Sequence, residues 1–131
     1  MGYDFRFTHF EHDHLITAFT TSWSAPSNIA LVKYWGKKEV QIPCNPSVSF
    51  TLRECRTQTT IQFDLQSSKK EEILFSIQYE GQPAPSFAPK ITEFLKRIKP
   101  YVPFLTHYHL TIDTCNTFPH SSGIASSASS M

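Results

Sequence analysis

Several features that would assign a chain to a broad functional class are missing from these 131 residues. The three cysteines, Cys44, Cys55 and Cys115, contain no C-x-x-C pair, so neither a zinc site nor a redox pair is indicated. No apolar run approaches membrane-spanning length, and charged residues among the first twenty leave no apolar core for a signal peptide. The odd number of cysteines and these absences predict a reduced, cytoplasmic protein.

The chain also lacks an excess of charge of either sign. Twelve basic residues balance eleven acidic ones, for a net charge of +1, which gives no reason to expect binding to nucleic acid or to a membrane. The hydrophobic content of 40% and the aromatic content of 14% are those of one ordinary globular domain. We therefore expect residues 1–131 to form a single domain, with 1–23 of uncertain structure apart from a strand near 17–23.

Apolar periodicity predicts several strands. The run from Asn28 to Trp35 is apolar enough for a strand buried on both faces, and the polar residues Gly36 to Pro46 read as a loop. Three segments with alternating apolar residues follow, at Val48 to Leu52, Thr59 to Leu65 and Ile73 to Tyr79. This period of two indicates half-buried, antiparallel strands.

The period then changes. Between Pro89 and Lys99 the apolar residues recur at i, i+3, i+4 and i+7, which predicts a helix that ends before Pro100. Tyr108 to Ile112 alternates again, and a second helix is expected to begin near Ser126. This order of elements predicts an α+β fold, a largely antiparallel sheet with helices on one side.

The segment Pro119 to Ser130 carries one glycine and six serines between the last strand and that second helix. Glycine lets the backbone approach a phosphate, serine hydroxyls are compact donors, and a helix N-terminus adds unsatisfied N–H groups. Neither G-x-x-x-x-G-K-[ST] nor G-x-G-x-x-G is present, which excludes a P-loop NTPase and a Rossmann site. A serine-rich helix cap or a flexible linker is the alternative interpretation.

Four motifs, in order along the chain, carry a resemblance to a known family. Pro119 to Ala128 resembles the phosphate-binding motif of the GHMP kinase superfamily. Ala25 to Lys37 resembles the N-terminal signature of the mevalonate diphosphate decarboxylases within that superfamily. Asn45 to Leu52 is similar to the segment that follows this signature, and Asn116 to Pro119 to the approach to the phosphate loop. The resemblance implies the N-terminal part of a GHMP-type domain.

The resemblance implies a reaction and two small-molecule ligands. Enzymes of this family convert mevalonate 5-diphosphate to isopentenyl diphosphate with ATP and a divalent cation, usually Mg²⁺, releasing ADP, phosphate and CO₂. The alternatives are a phosphomevalonate decarboxylase, a mevalonate kinase-like member of the superfamily, or a nucleotide-binding module without catalysis. Homodimers are common in the family.

The same resemblance assigns site residues. Lys33 would belong to the catalytic network, whereas Tyr34, Trp35 and Lys37 would bind the substrate. The ATP phosphates would be surrounded by Ser121, Ser122, Gly123, Ser126 and Ser127. The residue types suit these roles, because two lysines at a strand end offer point charges and two amphipathic rings can line a pocket. For an arbitrary strand end, however, core rings and surface lysines are the competing interpretation.

The resemblance covers only the first part of the family's length. The family's catalytic aspartate and its phosphate-binding arginine correspond to no residue of this chain. We therefore expect a C-terminally truncated domain that is inactive alone and leaves core surface exposed.

Overall fold

A computed structural model describes residues 15–33, 35–38 and 42–119. Seven strands are present in this part of the chain: β1 (Ala18–Val32), β2 (Lys37–Lys38), β3 (Ile42–Pro43), β4 (Val48–Leu65), β5 (Leu74–Tyr79), β6 (Gln82–Pro83) and β7 (Tyr108–Asn116). One α-helix, α1 (Ala88–Ile98), follows a 3₁₀ turn at Pro85–Phe87, and a second 3₁₀ turn, Pro103–His107, precedes β7. The helix predicted between Pro89 and Lys99 and the last strand are thereby confirmed, whereas the second helix, expected to begin near Ser126, lies outside the described residues.

Five strands form one sheet in the order β1-β4-β7-β5-β6, and β2 pairs with β3 separately. Strands β5 and β7 are parallel, with Leu74 opposite His109, whereas β5 and β6 form an antiparallel hairpin. The hairpin turn has positive φ at both central residues, 54° at Glu80 and 73° at Gly81. These are the values that a two-residue type I′ turn requires.

The remaining neighbours in the sheet run antiparallel. Leu65 N donates to Thr17 O, and Ser22 and Thr60 share a hydrogen bond between their hydroxyls. Residue numbers therefore fall along β4 as they rise along β1, so the two strands are antiparallel. The α+β fold with a largely antiparallel sheet, predicted above, is confirmed. The parallel β5–β7 pair is the exception, and helix α1 lies within the connection between its strands.

The chain divides into two compact units by its internal contacts. Unit 1 comprises Met1–Ser22 and Thr60–Thr114, and unit 2 comprises Trp23–Thr59 and Cys115–Met131. The boundaries fall inside strands β1, β4 and β7, each of which contributes residues to both units.

Unit 1 contains the hydrophobic core. Its buried members are Phe63, Ile73, Ile77, Leu95, Leu105, Tyr108, Leu110 and Ile112. Helix α1 contributes Leu95 to the core and packs Ile91 and Ile98 against it, which explains the helical spacing of these residues. Ile91, Leu95 and Ile98 of α1 are thus placed as an amphipathic helix requires.

Three aromatic rings organise one end of this core. Phe19 stacks on Phe63 with centroids 4.2 Å apart, and Tyr108 meets both rings edge-on, at 5.6 and 6.0 Å. The Tyr108 hydroxyl donates to Ile16 O at 3.1 Å, so the polar tip of this buried ring is satisfied. Strand β1, which contains Phe19, confirms the strand predicted near 17–23. The three rings all belong to unit 1.

Two strand predictions were wrong. The run from Asn28 to Trp35 was expected to be buried on both faces, but Leu31 is 62% exposed and Val32 52%. The structure places these residues at the end of β1, an edge strand whose only neighbour in the described sheet is β4. The presence of Pro26 within β1 fits an edge position, where a missing N–H costs little.

The second error concerns β4. Val48 to Leu52 and Thr59 to Leu65 were expected to be separate strands, yet they belong to one strand of 18 residues. The polar residues between them carry no apolar alternation, but Arg56 continues the pairing through a backbone hydrogen bond with Thr117. Hydrogen bonding, and not apolar burial, thus accompanies the strand across this polar stretch.

We predict that Leu110→Ala lowers the free energy of unfolding by about 3 kcal/mol, because it removes a 2% exposed side chain from the centre of the core. Leu74→Ala is the matched control, since Leu74 is 40% exposed, and it should cost less than about 1 kcal/mol. Urea unfolding followed by circular dichroism measures both. Equal losses would contradict this description of the core.

Candidate active site

The predicted substrate residues lie in unit 2, on the segment that follows β1. Lys33, Trp35 and Lys37 are all exposed, and the Trp35 side chain is 86% exposed. Trp35 therefore lies outside the core that the described residues form, in contrast to the competing interpretation of a core ring. An exposed aromatic ring between two lysines can contact a ligand without first leaving a packed position.

A tight turn separates Trp35 from Lys37. Gly36 has φ +77°, a left-handed conformation that other residues adopt at a cost. The Gly36 carbonyl accepts a hydrogen bond from Cys44 N at 3.2 Å, and the following hairpin pairs Lys37 with Pro43. A Cβ built at Gly36 would stand 3.8 Å from Cys44 Sγ, an ordinary contact, so the glycine is required by its backbone angle rather than by space.

Asn45 connects this segment to the start of the next strand. Its Oδ1 accepts from Trp35 N at 2.6 Å, while its Nδ2 donates to Pro46 O at 2.8 Å and, more weakly, to Lys33 O at 3.4 Å. A backbone N–H can only donate, so the atom that faces Trp35 must be the amide oxygen. One half-buried side chain thus contacts the backbone of two candidate site residues, Lys33 and Trp35.

The approach to the predicted phosphate loop is also in unit 2, and it is tied to β4. Thr117 Oγ1 accepts from Arg56 N at 2.9 Å and donates to Glu54 O at 2.7 Å, while Thr117 N donates to Arg56 O at 2.9 Å. Thr57 Oγ1 donates to Asn116 Oδ1 at 2.7 Å. Four hydrogen bonds therefore fix the two residues that precede Phe118, which is itself buried.

The Arg56 guanidinium anchors the same part of β4 to β1. Its Nε donates to Ser24 Oγ at 2.8 Å and its Nη2 to Ser24 O at 3.1 Å. A planar guanidinium makes two such bonds without a large loss of freedom for each, so this contact is a rigid one. Both acceptors are uncharged oxygens of Ser24.

The remaining predicted site residues lie outside the described part of the chain. These are Tyr34 and the phosphate-loop residues Ser121, Ser122, Gly123, Ser126 and Ser127. Their assignments stay predictions. Within residues 15–33, 35–38 and 42–119, no group of three or more His, Cys, Asp or Glu side chains could hold a metal ion. None of the helices in these ranges is long and apolar enough to cross a membrane.

The described geometry defines a class of protein: an α+β domain that presents a cationic, aromatic loop and a hydrogen-bonded approach to a serine-rich segment. Comparison with known proteins gives the family. The model of the diphosphomevalonate decarboxylase-like N-terminal domain matches residues 25–131. The chain belongs to this family.

Individual relatives agree with the family. The diphosphomevalonate decarboxylase of Candida albicans is 34% identical over 119 residues, which cover 84% of this chain and 33% of that protein. Mevalonate diphosphate decarboxylase from Staphylococcus aureus has a similar structure, with a TM-score of 0.70 and 29% identity over 86% of this chain and 33% of that one. MDDEF in complex with MVAPP, AMPPCP and magnesium has a TM-score of 0.66 and 31% identity, over 86% and 33% of the two chains. The chain spans about a third of the length of these relatives.

Sequence reasoning missed the residues that hold the site in place. Asn45 begins the motif that ends at Leu52, and Thr117 lies in the approach to the phosphate loop, but the sequence alone indicates no role for either residue. A signal was available, because Asn and Thr side chains in loops commonly bond to nearby backbone. Their partners, Trp35 and Glu54, could not be identified without the fold, since Glu54 is 63 residues from Thr117.

We predict that Gly36→Ala loosens the hairpin, because alanine at φ +77° costs roughly 1–2 kcal/mol. The Cys44 amide, which donates to Gly36 O, should then exchange with deuterium roughly five- to thirtyfold faster. Gly36→Asn should have a smaller effect, since asparagine tolerates this conformation. Gly81→Ala is the matched control, with φ +73°, and should leave Cys44 exchange unchanged. An unaltered Cys44 rate in Gly36→Ala would refute the assigned turn.

Proposed function

We propose that this chain is the N-terminal part of an ATP-dependent decarboxylase that converts mevalonate 5-diphosphate to isopentenyl diphosphate in the mevalonate pathway. The chain supplies a substrate loop, residues 33–37, and a phosphate loop, residues 119–130. The remaining catalytic groups come from further sequence of the kind that its longer relatives possess. The cysteines Cys44, Cys55 and Cys115 are free, in keeping with the reducing cytoplasm as the place of action.

One observation carries the proposal: the described residues of the family's substrate signature are exposed, and hydrogen bonds from Asn45 and Cys44 contact the backbone of Lys33, Trp35 and Gly36. Lys33 and Lys37 stand on either side of the exposed Trp35, while Gly36 and Asn45 fix the backbone between them. Lysine binds a diphosphate as a point charge, and a preorganised loop loses little conformational freedom on binding. The solved relative with MVAPP and AMPPCP bound supports both ligand classes.

The reaction balances in two steps. The terminal phosphoryl group of ATP is transferred to the tertiary 3-hydroxyl oxygen of the substrate, the hydroxyl proton is released, and ADP leaves. The bond to the carboxylate then breaks, its electron pair forms the alkene, and the 3-phosphate departs as CO₂ is released. Such chemistry depends mainly on positioning and on neutralising phosphate charge. Lys37, Tyr34 and Trp35 hold the diphosphate end of the substrate, and Lys33 belongs to the catalytic network around the transferred group.

The phosphate loop would surround the ATP phosphates with Ser121, Ser122, Gly123, Ser126 and Ser127. Its support comes from the segment just before it, where Asn116 and Thr117 are bonded to β4. A loop that binds phosphate through backbone N–H groups needs a fixed starting point, because each donor must face the anion. Magnesium neutralises part of the phosphate charge when bound, and the described residues provide no metal cluster of their own.

The alternatives differ in substrate and in chemistry. A phosphomevalonate decarboxylase would act on the monophosphate, a mevalonate kinase-like member would phosphorylate without releasing CO₂, and a binding module would bind nucleotide without turnover. The family match favours the decarboxylase acting on the diphosphate.

We predict that the full-length protein releases CO₂ from mevalonate 5-diphosphate only with ATP and Mg²⁺, with one ADP and one phosphate formed for each CO₂. The 131-residue chain alone should release none. Labelled CO₂ and coupled ADP assays measure the stoichiometry, with mevalonate 5-phosphate as the competing substrate. ADP formation without CO₂, or preference for the monophosphate, would contradict the proposal.

We predict that Lys37→Ala raises KM for mevalonate diphosphate roughly 10- to 100-fold, as expected for loss of a charged hydrogen bond worth about 1.5–3 kcal/mol. KM for ATP should change by less than about threefold, because the phosphate loop is untouched. Lys38→Ala is the control. Lys38 is equally charged and exposed, but it follows Lys37 in strand β2, so its side chain points to the opposite face. Equal effects at both positions would indicate general electrostatics instead of a specific contact.

A further inference from the structure

The Asn45 side chain contacts the backbone of the substrate loop on both sides of one residue. Its amide oxygen accepts from Trp35 N at 2.6 Å, and its amide nitrogen lies 3.4 Å from Lys33 O. In an extended chain, the carbonyl of one residue and the N–H two residues later point in the same direction. A residue of a parallel neighbouring strand would use its own N–H and C=O to contact these same two groups.

The Asn45 amide offers Trp35 N an acceptor and Lys33 O a donor, the two kinds of partner that a neighbouring strand supplies. Strand β1 ends at Val32, and the backbone groups of Lys33 and Trp35 come just after its end. Without a partner strand, these groups would be left to solvent and the loop would sample many conformations. Asn45 supplies both the acceptor and the donor from one short side chain.

Two further contacts fix Asn45 itself. Its Nδ2 also donates to Pro46 O at 2.8 Å, which holds the side-chain amide against its own backbone. The adjacent Cys44 N donates to Gly36 O at 3.2 Å, so the hairpin brings position 45 beside Trp35. The Asn45 side chain with its contacts to Lys33 and Trp35, called the Asn45 bracket below, is thus held in place by contacts of Asn45 and of the adjacent Cys44.

We propose that Asn45 is a positioning residue for the diphosphate of the substrate, acting through the backbone of Lys33 and Trp35. The inference rests on the proposed roles of Trp35 and Lys37 in binding that substrate and of Lys33 in the catalytic network. By fixing the loop before the ligand arrives, Asn45 removes an ordering cost that binding would otherwise bear.

The neutral amide is the chemically suitable group here. Alanine would leave Trp35 N without its acceptor. Aspartate would keep an acceptor for Trp35 N, but it could not donate to the carbonyls of Lys33 and Pro46, and its charge would repel them and a nearby diphosphate. The two variants therefore separate the hydrogen bond to Trp35 from the placement of the diphosphate.

The first test reads the hydrogen bond directly in the full-length protein. Amide hydrogen exchange at Trp35 should be roughly tenfold faster in Asn45→Ala than in wild type, and within about threefold of wild type in Asn45→Asp. Gln62→Ala is the control, because Gln62 belongs to unit 1, where its side-chain amide donates to Asp64 at 3.1 and 3.2 Å, and contributes no hydrogen bond to Trp35 N. Unchanged exchange at Trp35 in Asn45→Ala would overturn the proposal.

The second test reads the function. KM for mevalonate diphosphate should rise roughly tenfold in Asn45→Ala and at least as much in Asn45→Asp, with KM for ATP within about threefold of wild type. Gln62→Ala should alter neither constant. Wild-type substrate affinity in both Asn45 variants, or equal increases in the two KM values, would overturn the positioning role.

Inorganic pyrophosphate separates this proposal from the proposed function. If the wild-type protein showed no decarboxylation, the proposed function would be wrong. Calorimetric titration with pyrophosphate would still test whether Asn45 positions a diphosphate. Weaker pyrophosphate binding by Asn45→Ala than by Gln62→Ala supports the bracket in that case. Equal binding by the two variants, or no binding by the wild type, overturns it.

Discussion

The uneven distribution of apolar burial constrains everything else in this structure. The buried cluster around Leu110 belongs entirely to unit 1, whereas Phe118 is the one buried hydrophobic residue in the described part of unit 2. Ser27 and Thr57, the other buried side chains there, are polar. Burial of apolar surface is the main favourable contribution to folding, so among the described residues of unit 2 the contacts that hold the chain are mostly hydrogen bonds. Asn45, Arg56 and Thr117 provide them.

This arrangement suits a binding site. Among the described residues, Lys33, Trp35 and Lys37 are exposed, and the Asn45 side chain hydrogen-bonds to the backbone of Lys33 and Trp35. The same device recurs on the approach to the phosphate loop, where Thr117 bonds to both Arg56 and Glu54. A loop held in this way offers its charged side chains to an anion without a large ordering cost. Exposed, fixed loops on a stable sheet are a common setting for ligand sites.

Periodicity predicted the parts of the fold that burial determines. Helix α1 and strands β5 and β7 contribute to the core, so their apolar residues recur with the period of the element. The errors fall where burial is weak. The apolar end of β1 looked buried because composition does not reveal that a strand lies at an edge, and the polar middle of β4 shows no alternation although its backbone pairing continues. The bracket made by Asn45 depends on a contact across ten residues, which no local pattern encodes.

The central claim is that the loop from Lys33 to Lys37 holds the diphosphate of the substrate. A crystal structure of the full-length protein with mevalonate 5-diphosphate tests it most directly. We expect the diphosphate within hydrogen-bonding distance of Lys37 Nζ, beside the ring of Trp35, with the Asn45 bracket intact. A diphosphate bound elsewhere, with Lys37 and Trp35 still facing solvent, would contradict the account.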